Sequence, residues 1–376
     1  MLFRLYRLSL IMKISKFALV KDKVARWLVR RPTNIVGIDI GSGAVKMAEV
    51  AIQQDTPLLK AVGIAELPEN ILEDGYVADI PALAGVLNRL LNTSGIGAQA
   101  AVMAVSGRNV FVREVMFPAM SYEELREAIK WDMEKYVPYD PDSYYYDFAI
   151  AGTGKTELEI KVLLVAAPND LINGLVAAVK EAGCKPIAVE IEPLALQRTI
   201  PGAANCLVID IGDSVSQIHV FQSGSPSITR PIPLGGRRFT EVIMSALDLE
   251  FTEAERLKQR QMGLLQRVDY EGERSFLHQQ LFFVVEELAR EVRRTYEYYQ
   301  IQNREAIVEK IILTGGGAKL DNLAHHLAAQ LEDIQVILHN PLAGIGISPS
   351  LDAGYVGEID LRLAMPIGLA LRGGEP

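Results

Sequence analysis

Two short segments of the chain place an aspartate and glycines directly behind an apolar run. Glycine lets consecutive backbone N–H groups in a tight turn converge on an anion, and a serine hydroxyl or a lysine ammonium adds further donors. These residue types at this spacing predict sites for phosphate oxygens. The first segment contains Asp39, Gly41, Ser42, Gly43 and Lys46, and the second contains Asp210, Gly212, Asp213 and Ser214.

The two segments occupy equivalent places in two similar stretches of sequence. In each case the aspartate and the first glycine end an apolar run, VGIDIG in the first segment and VIDIG in the second. A run of alternating strand-like residues comes next. Their separation is too long for a solenoid period and suits a duplicated domain. The chain has 376 residues, 49% of them hydrophobic, which is enough to bury two cores. We therefore expect two lobes, each with an aspartate at a strand end.

Strand and helix patterns divide the chain further. The first lobe is predicted from three strand-like runs, then a helix that begins after Asp79, and then a buried strand. A strand-helix-strand-strand-helix pattern then predicts a small inserted α+β subdomain. The predicted parts are residues 35–108 and 184–204 for the first lobe, 109–183 for the insertion, 205–240 and 308–376 for the second lobe, and 241–307 for a helical subdomain.

Composition narrows the class of protein. A formal net charge of −9 argues against a general nucleic-acid binder. No apolar run approaches the roughly 20 residues that span a bilayer, so no transmembrane helix is predicted. Cys184 and Cys206 form no CxxC pattern, and a reducing compartment with two core thiols is the expectation.

Residues 1–34 form a basic leader. Residues 1–31 carry nine Lys and Arg residues against the single acid Asp22. Interleaved apolar residues are compatible with an amphipathic helix on an anionic membrane. A partly disordered leader, or a true start at Met12, explains the same composition, and the sequence leaves these interpretations open.

Further glycines and a charged pair occur in the second half. Gly235 and Gly236 precede a helix, and a strand is followed by three glycines and another helix. Glycine lets the backbone approach a flat ligand where a Cβ would collide. Glu255 and Lys258 are spaced to share one helix face. The triple glycine is Gly315, Gly316 and Gly317.

Together these motifs resemble the phosphate and adenosine motifs of the actin, sugar-kinase and heat-shock ATPase superfamily. Within it the chain is most similar to the PilM family of type IV pilus assembly, and next to the division protein FtsA. The segments that carry the resemblance are VGIDIGSGAVKMAEV, EKYVPYD, EIEPLAL and NPLAGI, and it extends from about Ile35 to Leu371. It implies an actin-like (ribonuclease H-like) duplicated two-lobed ATPase fold with a 1C-type insertion.

The resemblance assigns roles to the motif residues, with ATP and Mg²⁺ as the ligands. Asp39 and Asp210 would hold Mg²⁺, and Lys46 would meet a phosphate. Glu192 matches a water-orienting acid, so Glu192, Asp210 and Asp39 are the catalytic candidates. The other nucleotide-binding candidates are Gly41, Ser42, Gly43, Gly212, Asp213, Ser214, Gly235, Gly236, Glu255, Lys258, Gly315, Gly316 and Gly317.

Simpler interpretations stay open for several of these residues. Lys46 could be an outward strand residue, and Glu192 a surface acid two residues after Glu190. Glu255 and Lys258 could form only a solvated salt bridge. Asp213 stands where related proteins usually have a small residue, so the resemblance favours nucleotide binding with at most slow hydrolysis.

The resemblance also implies a function at the cytoplasmic face of the inner membrane. The chain would be an ATP-loaded adaptor that captures the N-terminal tail of PilN between the first lobe and the insertion. It would thereby link the PilN/PilO complex to cytoplasmic motor or platform proteins, without membrane insertion or nucleic-acid binding of its own. Homo-oligomers are compatible with this role, and an FtsA-like polymer-forming membrane anchor is the alternative. A small-molecule kinase is disfavoured because the insertion gives no sign of a sugar pocket.

Overall fold

The computed structural model describes residues 34–54, 56–154, 156, 158–200, 202, 205–260, 263–265, 273–303, 307–331 and 334–372. The basic leader lies outside these ranges except for Asn34, so its interpretations stay open. Within the described ranges, no helix is long and apolar enough to cross a membrane.

The described strands form two large sheets and two small ones. The strands are β1 (Asn34–Ile40), β2 (Ala44–Gln53), β3 (Thr56–Glu66), β4 (Leu72–Glu73), β5 (Tyr76–Val77), β6 (Ala100–Val105), β7 (Phe111–Pro118), β8 (Tyr144–Thr153), β9 (Glu159–Pro168), β10 (Lys185–Ile191), β11 (Cys206–Ile211), β12 (Ser216–Gln222), β13 (Ser225–Ile232), β14 (Lys310–Thr314), β15 (Gln335–Leu338) and β16 (Gly346–Ile347).

The described helices cover the faces of these sheets. They are α1 (Ile80–Thr93), α2 (Tyr122–Asp132), α3 (Asn169–Glu181), α4 (Glu192–Thr199), α5 (Gly236–Leu247), α6 (Phe251–Arg260), α7 (Glu273–Gln302), α8 (Leu323–Gln330) and α9 (Ala353–Leu371), with short 3-10 helices at Met133–Lys135 and Gly316–Lys319.

The first lobe is built on a six-stranded sheet in the order β10-β6-β1-β2-β3-β16. The predicted meander is confirmed, because β1, β2 and β3 pair antiparallel in sequence order. The predicted helix start is also confirmed, since the Asp79 side chain accepts a hydrogen bond from the Ala82 N–H at 2.9 Å. Gly95, with a φ of 64°, follows the end of α1.

The insertion has its own sheet, in the order β7-β9-β8, and its own core. Helix α2 begins with a capping box, in which Ser121 and Glu124 satisfy each other's backbone N–H groups. Its apolar face buries Leu125 and Ile129 against the sheet, where they meet Phe148. The sequence therefore specifies a small separate unit that projects from the first lobe.

Helix α3 belongs with the first lobe, although residues 109–183 were predicted as one insertion. Its buried residues Leu171 and Leu175 share a core with Leu83 and Leu87 of α1. The apolar faces of the two helices cover each other beside the large sheet, so the core of the insertion ends with β9. Sequence periodicity identifies such a face but not its partner.

The second lobe is built on a five-stranded sheet in the order β13-β12-β11-β14-β15. Helices α5 to α8 cover it. Ile209 of β11, Phe239 of α5 and Leu281 and Leu288 of α7 lie in one buried cluster. The helices over residues 241–307 thus share a continuous core with the second sheet.

The C-terminal part of the chain returns to the first lobe. Strand β16 pairs with β3, and α9 packs against β1, β2 and α4. Leu363 and Ile367 of α9 are buried with Ile35 and Val50. Residues 346–371 therefore associate with the first lobe, whereas residues 308–376 were assigned to the second. The reason is that α9 is apolar on most of its surface and needs covering on more than one side.

The described elements therefore pass between the lobes twice, from α4 to β11 and from β15 to β16. The two crossings are bonded to each other. His339, just after β15, donates from Nε2 to the backbone oxygen of Thr199, the last residue of α4, at 2.8 Å. Because a carbonyl oxygen can only accept, a proton is on Nε2, and Nδ1 lies 3.2 Å from Thr314 Oγ1.

Candidate functional site

Asp39 and Lys46 form the first half of the site. The antiparallel register of β1 and β2 sets them directly opposite each other. Lys46 Nζ lies 2.7 Å from Asp39 Oδ2, and the lysine side chain is 19% exposed, so Lys46 is not an outward strand residue. Burial lowers the Lys46 pKa, but attraction to Asp39 and Asp210 outweighs burial. The pKa is therefore raised and the ammonium group stays charged.

Asp210 occupies the equivalent strand end in the second lobe. Burial raises its pKa to about 6, an effect that Lys46 opposes and Asp39 increases, so charges from both lobes interact here. The triple-glycine loop lies against this carboxylate, because a Cβ added to Gly315 would lie 2.2 Å from Asp210 Oδ1. Gly315 also has a φ of 83°, a conformation that favours glycine. The structure thus brings the two aspartates and the triple glycine together.

Gly43 and Asp213 bring the two glycine loops into contact. A Cβ on Gly43 would lie 2.8 Å from Asp213 Cγ, and one on Gly235 would lie 2.2 Å from the Asp213 backbone oxygen. The Asp213 carboxylate accepts from Arg237 Nε at 3.1 Å and from the Ser214 hydroxyl at 2.9 Å. Sequence analysis missed Arg237. A basic residue in the first turn of a helix opposes the helix dipole, and this signals an acidic partner.

The other predicted loop residues surround this contact. The Gly41 N–H donates to the Ala44 backbone oxygen at 3.0 Å and closes the first turn, whose exposed tip is Ser42. The Gly236 N–H donates to the Gly212 backbone oxygen at 2.8 Å. This second bond fixes the N-terminus of α5 against the second turn.

Glu255 and Lys258 form a second cluster beside these loops. Lys258 Nζ lies 2.7 Å from Glu255 Oε2 and donates to the Gly236 backbone oxygen at 2.9 Å and to Thr240 Oγ1 at 2.7 Å. Gly236 in turn lies against Gly317, since its added Cβ would be 3.5 Å from the Gly317 Cα. Burial raises the Glu255 pKa, but Lys258 and the hydrogen bonds outweigh burial and lower it. The pair is therefore more than a solvated salt bridge.

Glu190 and Glu192 have different environments. Glu190 is buried and accepts from both arms of the Arg198 guanidinium, at 2.7 Å and 2.9 Å, and from Arg372. It thus joins β10, α4 and the end of α9 and has no free oxygen for a ligand. Glu190 therefore has a structural role, whereas Glu192 lies near Asp210 and Asp39.

Glu192 is a half-buried acid with a buried, unsatisfied oxygen. Its Oε2 has no hydrogen-bond partner. Burial and repulsion from Asp210 raise its pKa to about 8, although a hydrogen bond with Ser106 opposes the rise. A cavity of about 10 Å³ lies beside it, with Val112 of the insertion and Thr229 of the second lobe in its wall. The cavity is about the size of one water molecule.

Arg362 of α9 also reaches this region. A Cβ added to Gly316 would lie 3.6 Å from Arg362 Cγ, and the positive charge of Arg362 acts to lower the Lys46 pKa. Sequence analysis missed Arg362, because it lies in an apolar helix far along the chain from the glycine motifs. Its place depends entirely on the return of α9 to the first lobe.

Comparisons with known proteins agree with this architecture. A family model for the type IV pilus assembly protein PilM matches residues 37–374. A chain of the solved PilM-PilN type IV pilus biogenesis complex superposes with a TM-score of 0.79 at 29% identity and covers 92% of this chain and 100% of that chain. Ethanolamine utilization protein EutJ from Carboxydothermus hydrogenoformans superposes with a TM-score of 0.56 at 18% identity, covering 95% of this chain and 96% of that chain.

Curated relatives include the cell division protein FtsA. FtsA of Escherichia coli K12 is 22% identical over 368 residues, which cover 85% of this chain and 87% of FtsA. FtsA of Bacillus subtilis is 24% identical over 261 residues, a match that spans 61% of this chain and 58% of the length of that relative. The comparisons with solved structures confirm the predicted actin-like, two-lobed α/β fold.

Proposed function

The chain belongs to the PilM family of type IV pilus assembly proteins, and we propose on this premise that it is a nucleotide-binding adaptor in pilus assembly. The observation that carries the proposal is the meeting of both Asp-x-Gly turns and the triple glycine at one cleft, where Gly43, Gly235 and Gly315 are among the glycines packed too closely for any Cβ. Such a backbone cradle suits phosphate oxygens and a flat base.

The phosphate side of the nucleotide would bind between Asp39, Lys46 and Asp210. Within the described ranges, no three His, Cys, Asp or Glu side chains converge to hold a metal ion by themselves. Two carboxylates fit Mg²⁺, which usually takes one or two carboxylates and completes its shell with phosphate oxygens and water. When bound, Mg²⁺ would neutralise charge on the phosphates. Lys46 would supply a fixed positive charge, because its ion pair with Asp39 already orients it.

The base and ribose would bind between Gly317 and the Glu255–Lys258 pair.

Hydrolysis of the bound nucleotide would be slow at most. The Glu192 carboxyl, with a pKa of about 8, is largely protonated at neutral pH before any ligand binds and is then unable to accept a proton from water. This supports a role in which nucleotide binding rather than turnover sets the state of the protein.

Calorimetric titration with Mg-ATP and Mg-ADP tests the nucleotide proposal. Lys46→Met should weaken both nucleotides by about tenfold or more, because it removes a charge-assisted contact. Lys130→Met, at an exposed position on α2, is the matched control and should bind as the wild type does. Failure of the wild-type protein to bind either nucleotide would refute the proposal.

The partner segment would bind where the first lobe meets the insertion. Half-buried tyrosines line this junction: Tyr76 comes from the first lobe, while Tyr139 and Tyr145 come from the insertion. Tyr76 is close enough to add to the burial that raises the Tyr139 pKa. Tyrosine combines a large apolar surface with a hydroxyl group and is enriched at protein interfaces. The solved PilM-PilN complex supports a PilN-like protein as the partner, and its N-terminal tail is the occupant that we propose.

Calorimetry with a synthetic peptide of the cognate PilN-like N-terminus tests this surface. Saturable one-to-one binding is expected, and Tyr76→Ala should weaken it at least tenfold. Tyr298→Ala, at an exposed tyrosine on α7, is the control and should leave binding unchanged. Absence of binding with Mg-ATP, with ADP and without nucleotide would rule out the peptide.

By this binding the protein would sit at the cytoplasmic face of the inner membrane and link a PilN/PilO complex to motor or platform proteins. The similarity to the cell division protein FtsA leads us to one alternative proposal, a polymer-forming protein at the membrane. Sedimentation with Mg-ATP separates the two. Pelleting that depends on nucleotide but not on the PilN-like peptide would favour the polymer.

A further inference from the structure

Arg362 is a cation at the cleft that has no acidic partner in the described part of the chain. Among the described residues, its guanidinium group forms neither a hydrogen bond nor an ion pair. The nearest acid along its helix, Asp360, lies 3.5 Å from Lys319 instead. Other arginines near the site are engaged, such as Arg237 with Asp213 and Arg198 with Glu190. An arginine that is half-buried without a counter-charge is unfavourable unless another group compensates for it.

The position of Arg362 relates it to both halves of the nucleotide site. Its stem lies over Gly316, with Cδ and Nε both 3.8 Å from the Cβ that an alanine would carry there. Arg362 is also near enough to Lys46 for their positive charges to repel each other. Arg362 therefore lies against the triple-glycine loop and near the phosphate side at Lys46.

We propose that Arg362 binds the phosphate nearest the nucleoside, in both nucleoside diphosphates and triphosphates. An anion between Arg362 and Lys46 would relieve the repulsion between them. The planar guanidinium carries five donors and suits the two-point binding of phosphate oxygens. This assignment rests on the proposed nucleotide binding.

The contact also has a structural consequence. Arg362 belongs to α9, which packs on the first sheet, whereas Gly316 belongs to the loop that follows β14 of the second sheet. The Gly315 N–H already donates to the Leu361 backbone oxygen at 3.1 Å, directly beside Arg362. A phosphate held by Arg362 and Lys46 would add a ligand contact to this junction, so nucleotide of either kind would hold α9 against the triple-glycine loop.

Nucleotide affinities of Arg362 variants test the proposal. Arg362→Met keeps the stem over Gly316 but removes the charge, and it should weaken Mg-ATP and Mg-ADP by the same factor, about 10- to 100-fold. Adenosine should bind Arg362→Met and the wild type equally. Arg362→Lys restores a positive charge but not the planar two-point donor geometry of the guanidinium. Its nucleotide affinity should lie between those of Arg362→Met and the wild type. Arg126→Met, at an exposed arginine of the insertion, is the control.

Melting temperatures without ligand distinguish binding from a packing role. Because Arg362 has no partner among the described residues of the free protein, Arg362→Met should melt at or above the wild-type temperature. An equal loss of adenosine and ADP affinity, or a lower melting temperature, would assign Arg362 to packing and overturn the proposal. Wild-type ADP affinity in Arg362→Met would overturn it as well. A wild-type protein that binds no nucleotide would instead overturn the proposed function itself.

Discussion

The Asp213 carboxyl group of the second lobe lies against Gly43 of the first, so closely that a single methyl group on Gly43 would come within 2.8 Å of Asp213 Cγ. Arg237 and Ser214 fix this carboxyl group in place, and it has little freedom to move aside. The distance between the two phosphate-type turns is therefore set by the absence of a side chain at Gly43.

Gly43→Ala should push the two turns apart. We expect the affinity for Mg-ATP to fall at least tenfold, because ligand groups contributed by both lobes would no longer converge. Gly85→Ala is the matched control, since a Cβ at this position in α1 meets nothing within 4 Å. That control should leave nucleotide affinity unchanged and stabilise the helix slightly. Equal affinities in the two variants would contradict the role of Gly43.

Glu190→Gln should destabilise the protein strongly. Glu190 is the shared acid between Arg198 and Arg372, and its neutralisation removes the negative charge that both poorly solvated arginines contact. Loss of one partner from a buried ion pair typically costs about 3–5 kcal/mol. Chemical denaturation measures the effect, and Glu286→Gln, on a partly exposed position of α7, provides the comparison. A loss below about 1 kcal/mol would contradict the structural role of Glu190.

Glu192→Gln should have the opposite effect on stability, with a defined pH dependence. The Glu192 pKa rises from its usual 4.5 to about 8 on folding, so the folded protein holds a proton that the unfolded chain has lost. Stability then falls as pH rises from about 4.5 to about 8. Glutamine does not titrate. The melting temperature of Glu192→Gln should therefore exceed that of the wild type by about 5 °C near pH 8 and match it in acid.

That experiment has a clear negative outcome. Parallel melting curves of Glu192→Gln and wild type across the whole pH range would mean that Glu192 ionises normally. Its carboxyl would then be solvated in the ligand-free protein, and the argument against rapid hydrolysis would fail.

The backbone of Leu265 is held between two histidine rings. Its N–H donates to His278 Nδ1 at 3.0 Å, and its carbonyl accepts from His326 Nε2 at 2.6 Å. Burial, with a contribution from His326, lowers the His278 pKa below the usual 6.5. The folded state therefore keeps His278 neutral, and the stability from this contact is lost as pH falls from about 6.5 through the lowered value.

Hydrogen exchange at the Leu265 amide should report the hydrogen bond between this amide and His278. After correction for intrinsic rates, wild-type protection should drop in acid because protonated His278 presents a second donor to the N–H group. His278→Asn offers an amide oxygen in place of Nδ1 and should keep its protection. His278→Ala should lose protection at every pH. Identical acid sensitivity in wild type and His278→Asn would exclude His278 as the titrating group.

The motif residues could be recognised from the sequence because close backbone approach restricts which residues are tolerated. Gly43 and Gly315 could be selected by that restriction, and the two aspartates by their place beside such glycines. The repetition of the motif predicts the fold class. Arg237 and Arg362 could not be found in the same way. Their environments come from Asp213 and from the return of α9, and neither relation leaves a local pattern in the sequence.

Element assignments show the same division. The start of α1 is encoded by Asp79 and could be predicted. The packing of α3 on α1, and the pairing of the two-residue β16 with β3, depend on which surfaces the rest of the fold leaves open. A single sequence contains the apolar faces but not their partners.

The two crossings between the lobes have a mechanical consequence. A single linker would let the lobes twist and slide freely. Two adjacent linkers act instead as a hinge and restrict these motions. The His339–Thr199 hydrogen bond holds these two linkers next to each other. Motions that keep the bond intact reduce to swinging about the line through both crossings, which widens or narrows the cleft while the crossings themselves stay in place.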